Sequence, residues 1–236
     1  MPANLFPVVD RRSIPAVTMD QMREVDRIMI EDLHIELMQM MENAGRNLAR
    51  LGFLRFRPQH VVVLAGSGGN GGGGLVAARH LANWGVAVSV VLGKERDGLD
   101  AVPAHQLDIL DRMGVPIAGQ PADADLVVDA LIGYSLRGDP RGRAAGLIEW
   151  AGEQVAPVLS LDTPSGLDVT TGTSGTPSVS AAATLTLAAP KTGLLGAHQV
   201  GELYLADISV PPAVYGVFDL EMPTDLFGED TVVQLR

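Results

Sequence analysis

Residues 61–81 read VVVLAGSGGNGGGGLVAARHL. The first five are apolar and rich in β-branched valine, which is typical of a fully buried strand in a parallel sheet. Seven of the nine positions from 66 to 74 are glycine, and apolar residues at helical spacing follow from Leu75 to Leu81. Glycines let backbone N–H groups approach a phosphate, and a helix N-terminus favours negative charge. The segment therefore predicts a phosphate or nucleotide site. A flexible linker is the alternative, but the apolar segments on both sides argue against it.

The composition favours an α/β protein and excludes several functional classes. The chain has 236 residues, 47% of them hydrophobic, with a net charge of -11. Basic residues do not cluster beyond pairs such as Arg11-Arg12, so a nucleic-acid-binding surface is not indicated. The absence of cysteine excludes disulfides, thiolate nucleophiles and cysteine metal sites. No apolar run has the length of a signal peptide core or a membrane span, so we expect a cytoplasmic protein that does not interact with membranes.

The residues before the glycine segment predict an arm and two helices. Residues 1–17 contain three prolines and little periodicity, and we interpret them as an N-terminal arm that could lie on a neighbouring subunit. Thr18 and Gln21 have the spacing of a capping box at the start of the first helix. A second helix is predicted from about Ile35 to Leu51 by its apolar spacing. We interpret residues 18–236 as one domain.

From residue 60 onward, strands and helices alternate. Strands are predicted at 86–92, 125–130, 157–161, 182–187, 203–206 and, more weakly, Val214–Val217; helices are predicted at 101–113 and 142–154. Such alternation gives a mostly parallel central sheet with right-handed crossovers and helices on both faces.

Polar residues lie at the ends of three of these strands or shortly after them. Asp129 ends one strand, Asp162 follows the next, and Lys191 comes four residues after the strand that ends at Leu187. In an open parallel sheet, ligands bind beyond the carboxyl ends of the strands. We therefore expect these side chains to meet the glycine loop at one edge. Each residue also has a simpler interpretation, since the aspartates could only cap turns and Lys191 could be a solvated loop lysine.

Residues 66–71 also match the dinucleotide pattern G-x-G-x-x-G, but a match within so many glycines is weak. That fingerprint expects an acidic residue at the end of the next strand. Here the strand ends Leu92-Gly93, and Glu95 comes late. A hydride-transferring oxidoreductase is therefore poorly supported.

Five motifs, in order, make the chain resemble the YjeF N-terminal domain family, the NAD(P)H-hydrate epimerases, from about Val17 to Pro212. The motifs are LM with MENAGR at 37–46, NGGGGLVAARHL at 70–81, DALIG at 129–133, DTPSGLD at 162–168 and APKTGL at 189–194. The resemblance implies a Rossmann-like three-layer αβα sandwich, usually homodimeric. It also implies a functional link to an NAD(P)HX dehydratase.

The resemblance further implies a site for hydrated NADH or NADPH and a potassium ion. The implied ion ligands are Asn70, Asp129 and Ser165. The implied substrate contacts are Gly69, Asn70, Gly71, Gly72, Gly73, Gly133, Tyr134, Ser135, Leu136, Arg137, Gly138, Asp139 and Asp162.

The chemistry of the implied substrate suggests roles for two residues. The ring nitrogen of hydrated NAD(P)H can expel the neighbouring hydroxyl, and water can then add to the other face. This requires a group that protonates the departing oxygen and one that deprotonates the incoming water. We assign acid–base work to Asp162, and to Lys191 either proton donation or a contact with a phosphate oxygen.

Two positions depart from the family pattern. The family loop usually reads Asn-Asn-Gly-Gly-Asp-Gly, and here its acidic position is Gly73. In the loop after the DALIG strand, the family usually has Gly-Thr-Gly, and this chain has Gly133-Tyr134-Ser135. Two hypotheses follow: an epimerase with an altered pocket, or a catalytically inactive relative that binds a nucleotide or acts as a scaffold.

Overall fold

A mostly parallel nine-stranded sheet forms the centre of the protein in this computed structural model, which describes residues 4–236. The strands are β1 (Val8–Val9), β2 (His60–Ala65), β3 (Ala87–Leu92), β4 (Ile117–Ala118), β5 (Leu126–Ala130), β6 (Val158–Leu161), β7 (Ala183–Leu187), β8 (Glu202–Ala206) and β9 (Val232–Leu235). The α-helices are α1 (Met19–Arg27), α2 (Leu37–Phe56), α3 (Gly69–Asn83), α4 (Ala101–Met113) and α5 (Gly142–Gly152). None of the helices within residues 4–236 has the length and apolar character needed to cross a bilayer.

The strand order is β1-β9-β8-β7-β6-β5-β2-β3-β4, and among the strand pairs within residues 4–236 only β8–β9 is antiparallel. From β2 the chain moves outward to β3 and β4, and then returns to the other side of β2 as β5. Loops leaving β2 and β5 therefore diverge at their carboxyl ends. Such a switch point opens a crevice, and ligands bind there in open α/β sheets.

The two faces of β2 bury different cores. Val61, Val63 and Ala65 pack in the larger core with residues of α1–α4, whereas Val62 and Leu64 pack in a smaller core with α5. Because side chains alternate across a strand, a run of five buried apolar residues requires cover on both faces. The predicted three-layer αβα sandwich is confirmed.

Local signals determine several helix ends as predicted. At the start of α1, the Gln21 amide N–H donates to the Thr18 hydroxyl at 3.3 Å and the Thr18 N–H donates to Oε1 of Gln21 at 2.8 Å, which forms the capping box. The helix α4 ends at Gly114, whose φ of 73° lies in the left-handed region. These ends are set by local hydrogen bonds and backbone freedom, so the sequence alone reveals them.

The predicted glycine loop is wrong for residues 69–74, which form the first turns of α3. The glycines are needed there for close packing. An added Cβ would lie 1.9 Å from the Gly66 carbonyl oxygen at Gly71, and 2.5 Å from the Ala130 Cβ at Gly74. Glycine in a helix costs roughly 1 kcal/mol relative to alanine. Here the close approach of α3 to the sheet outweighs that local preference.

The predicted strand at Val214–Val217 is also wrong. Residues Pro212–Phe218 form a 3₁₀ helix, which begins after Pro211 and buries Tyr215. Its phenol donates to the Ala188 carbonyl at 2.8 Å. Proline lacks a backbone donor and presets φ for a helical first turn, which explains why this apolar run does not join the sheet.

The N-terminal segment packs on its own chain over the described residues 4–17. Within it, β1 pairs with the unpredicted strand β9, and Phe6, Ile14 and Val17 are buried. The segment therefore extends the sheet of the same chain. Residues 1–3 lie outside the described part.

Candidate active site

A cavity of about 500 Å³ opens at the carboxyl ends of β2 and β5, at the switch point. Its lining comes from α1 and α2, the turn that enters α3, the loop after β5, and the ends of β6 and β7. Its volume lies within the range of about 300–1,000 Å³ that is usual for small-molecule sites.

Asp162 and Lys191 form a buried ion pair at this cavity. Their side chains are 5% and 1% exposed, and Nζ of Lys191 contacts Oδ1 of Asp162. Nζ also donates to Oγ1 of Thr186 at 3.2 Å and to the Leu187 carbonyl at 2.9 Å. Three acceptors therefore match the three protons of the ammonium. Lys191 is not a solvated loop lysine, and its role in this geometry is to hold the Asp162 carboxylate.

The backbone at Asp162 is unusual. Its φ of 65° lies in the left-handed region, which residues with a Cβ seldom adopt. The Asp162 N–H donates to the Leu185 carbonyl at 2.7 Å, so the strand ladder fixes this conformation. Strained backbone that its surroundings hold in place is concentrated at functional sites.

Tyr134 lies between Asp162 and a second carboxyl group, Asp26 of α1. The Tyr134 backbone N–H donates to Oδ2 of Asp162 at 3.1 Å. Its phenol donates to Oδ2 of Asp26 at 2.5 Å. Burial away from water raises the pKa of Asp26, and burial together with the Asp26 charge raises the pKa of Tyr134.

Asp129 and Ser165 form a polar cluster beneath the loop that follows β5. Both residues are fully buried. Asp129 accepts hydrogen bonds from Ser160 Oγ at 2.9 Å, from the Ser165 N–H at 2.9 Å and from Ser165 Oγ at 2.6 Å. Burial raises the pKa of this carboxyl, and no cationic side chain pairs with it within residues 4–236.

Asn70 lies in the first turn of α3 and lines the cavity. Its Nδ2 atom is buried and has no hydrogen-bond partner among the described residues. Buried polar atoms in proteins are nearly always paired, so an unpaired amide at a cavity points to a ligand.

Comparisons with known proteins identify the family of this chain. The family model described as YjeF-related protein N-terminus matches residues 37–193. The chain belongs to the YjeF N-terminal family.

A protein of Dehalogenimonas lykanthroporepellens named NAD(P)H-hydrate epimerase is 48% identical, with 89% of this chain and 88% of that protein covered. A protein of Hyperthermus butylicus named bifunctional NAD(P)H-hydrate repair enzyme is 40% identical, and the match covers 77% of this chain and 36% of that one. A crystal structure of a yeast protein has a TM-score of 0.82 at 27% identity, with 94% of this chain and all of that chain covered.

The structure brings together only some of the residues that the YjeF resemblance implies for substrate. Gly69, Asn70, Gly133, Tyr134, Ser135 and Asp162 line the cavity. Gly71, Gly72 and Gly73 are buried within α3 and do not line it. Leu136, Gly138 and Asp139 line a separate, smaller depression, and Arg137 lines neither.

Gly73, the position where the family usually has an acidic residue, faces an apolar contact. An added Cβ would lie 2.7 Å from Cδ2 of Leu161 and 3.7 Å from the Met41 sulfur. In this chain, a side chain at residue 73 would therefore enter the packing between α2 and β6.

Asp26 was not among the site residues predicted from the sequence. The available signal was its position one helical turn after Met22 of α1 and three residues before Met29, which lies in the π-helical turn Ile28–Asp32 that continues α1; Met22 and Met29 are both buried. A charged residue on an otherwise buried helix face requires a partner. That partner, Tyr134, is far away in sequence, which is why the signal is weak before folding.

Proposed function

We propose that this protein is an NAD(P)H-hydrate epimerase, which interconverts the R and S forms of hydrated NADH or NADPH. The observation that carries this proposal is the buried Asp162–Lys191 pair at a cavity on the switch point of the sheet. The relatives named NAD(P)H-hydrate epimerase, of which one is 48% identical, supply the substrate class.

In the proposed reaction, Asp162 removes a proton from the water that adds to the ring. Lys191 orients the carboxylate through Oδ1, and the Tyr134 N–H contacts Oδ2. The apolar side chains of Met22, Leu37 and Met41 line the cavity and limit access of other nucleophiles to the charged intermediate.

The N-terminus of α3 is the proposed contact for the substrate phosphates. Gly68 precedes the helix and Gly69 begins it, and both line the cavity. The first backbone N–H groups of a helix lack intrahelical acceptors, and the helix dipole adds positive potential at that end. No side chain at these two glycines blocks the approach of a phosphate.

We further propose a potassium site at Asn70, Asp129 and Ser165. Their oxygens suit a hard cation. The buried Asp129 carboxylate and the unpaired Asn70 amide support this proposal, because rotation of the amide by half a turn exchanges its nitrogen for its oxygen. A bound potassium ion would neutralise the Asp129 charge and hold the loop after β5.

Thermal unfolding tests the ion site. Wild-type protein in potassium chloride is expected to melt higher than in choline chloride of equal ionic strength, since a ligand at 100 times its dissociation constant adds about 2.7 kcal/mol. Asp129→Asn should abolish the difference between the two salts. An equal melting temperature of the wild type in both salts would rule the site out.

Three further proposals concern the biological setting. Relatives that are bifunctional repair enzymes support a functional link to an NAD(P)HX dehydratase, which pulldown or a coupled assay can test. The family resemblance supports a homodimer, which light scattering would reveal as twice the mass of 24.8 kDa. The nicotinamide nucleotide substrate supports a cytoplasmic location, to be tested by cell fractionation.

A further inference from the structure

The cavity contains a second carboxyl group, for which the proposed reaction has so far no role. Asp26 on α1 and Asp162 after β6 both line the cavity, and Tyr134 bridges them. One carboxyl group meets the backbone N–H of this tyrosine and the other meets its phenol. The two groups are therefore separated by one tyrosine residue and border the same cavity.

The two carboxyl groups differ in their surroundings. Asp162 is bonded to the Lys191 ammonium, so its negative charge is paired. Asp26 has no ion pair among the described residues, and burial raises its pKa. Two carboxyl groups in unlike environments are a recurrent arrangement for an acid and a base in one active site.

Lys191 does not supply the acid. Its ammonium protons are directed at Asp162, Thr186 and the Leu187 carbonyl. The epimerisation still requires a proton for the oxygen that leaves the ring.

We propose that Asp26 is the proton donor of the proposed epimerase, and that Tyr134 is the residue that positions it. This inference rests on the proposed function. The Tyr134 phenol donates a hydrogen bond to Oδ2 of Asp26, whereas Oδ1 has no hydrogen-bond partner among residues 4–236. Oδ1 is therefore free to carry the proton and to face a ligand in the cavity.

The proton balance closes with these two groups. Asp26 transfers its proton to the ring hydroxyl, the carbon–oxygen bond breaks with its electron pair leaving on oxygen, and water departs from an iminium ring. A water molecule then forms a new carbon–oxygen bond on the other face and loses a proton to Asp162. One proton is given and one is taken, and the reverse reaction uses the same groups in exchanged roles. Exchange with solvent restores the starting protonation.

Burial and three neighbouring side chains shift the pKa of Asp26. Lys191 and the Tyr134 hydrogen bond lower its pKa, while the Asp162 charge raises it. Arg23 on α1 acts on the Tyr134 phenol, and Asp26 in turn raises the pKa of Tyr215. Burial is the largest influence, and it favours the protonated form that an acid needs.

The test is the epimerisation rate as a function of pH, measured with an S-specific dehydratase that consumes one epimer. An acid must be protonated, so the wild-type rate should fall as the pH rises through the pKa of Asp26. Asp26→Asn should lower the rate by about 10²-fold or more and remove this limb of the profile. Asp20→Asn, on the exposed face of the same helix, is the matched control and should leave the profile unchanged.

Tyr134→Phe separates positioning from structure. The phenol stabilises the ionised form of Asp26, so its removal should move the falling limb to higher pH as well as lower the rate. This shift also tests the inference if Asp26→Asn does not fold.

Three results would overturn the inference. An active wild type whose Asp26→Asn variant keeps its rate and its limb would exclude Asp26 and leave the epimerase proposal intact. If the falling limb of the pH profile does not shift in Tyr134→Phe, Tyr134 does not position Asp26, and the epimerase proposal still stands. An inactive wild type would overturn the epimerase proposal and this inference together.

Discussion

Replacement of Lys191 by methionine should destabilise the protein and free the Asp162 carboxylate. Lys191 is fully buried, and its ammonium contacts Asp162, Thr186 and the Leu187 carbonyl. Methionine has a similar length and no charge, so the loss reflects these contacts rather than a large cavity.

The magnitude follows from burial. A hydrogen bond to a charged group contributes about 1.5–3 kcal/mol, and removal of one partner of a buried ion pair costs about 3–5 kcal/mol. Asp162 borders the cavity, and water that enters there can solvate part of its charge. We therefore expect the free energy of unfolding to fall by about 3 kcal/mol.

Urea denaturation at neutral pH measures this change. The double variant Lys191→Met/Asp162→Asn should recover about 2 kcal/mol of the loss, because no unpaired charge remains. Lys94 is the only other lysine of the chain and is exposed, so Lys94→Met is the matched control and should change stability by less than about 0.5 kcal/mol. A loss below about 1 kcal/mol for Lys191→Met, or no recovery in the double variant, would refute the description of this ion pair as buried and coupled.

Further predictions concern packing and pH. Gly71→Ala should lower the free energy of unfolding, measured by urea denaturation, by at least about 3 kcal/mol, because the added Cβ would meet the Gly66 carbonyl. Gly146→Ala, on the open face of α5, should raise it by about 1 kcal/mol. Similar effects at both sites would contradict the packing argument. Arg50 holds the pKa of Asp230 below its usual 3.8 in the folded state, so this contact stabilises the protein above about pH 4 and the stability is lost as the pH falls through the lowered pKa. The difference between the urea midpoints of the wild type and Asp230→Asn should therefore shrink between neutral pH and about pH 3, and a constant difference would contradict it.

The central sheet could be predicted from sequence because its signals are local. The five consecutive buried apolar residues of β2, the capping box at Thr18 and the glycine after α4 are each signals within a few residues. The start of α3 could not be predicted in this way. Its glycines look like a loop until Gly66 and Ala130, which they contact, are placed by the sheet.

The site residues also differ in whether local sequence signals reveal them. Asp162 and Lys191 follow strands, and the parallel topology brings strand ends together. Asp26 lies in a helix outside the alternating strands and helices, and its contact with Tyr134 spans 108 positions of the chain. Strands β1 and β4 have two residues each, which is too short for a periodic signal, and β9 is fixed by pairing with β8.

The epimerisation rate itself tests the central claim most directly. An S/R mixture of hydrated NADH is incubated with potassium and an S-specific dehydratase, and the remaining R form is followed with and without this protein. We expect R to disappear faster than it does spontaneously. Asp162→Asn should abolish the acceleration, while asparagine still tolerates the left-handed backbone at this position. A folded wild-type protein that leaves R at its spontaneous rate would contradict the account.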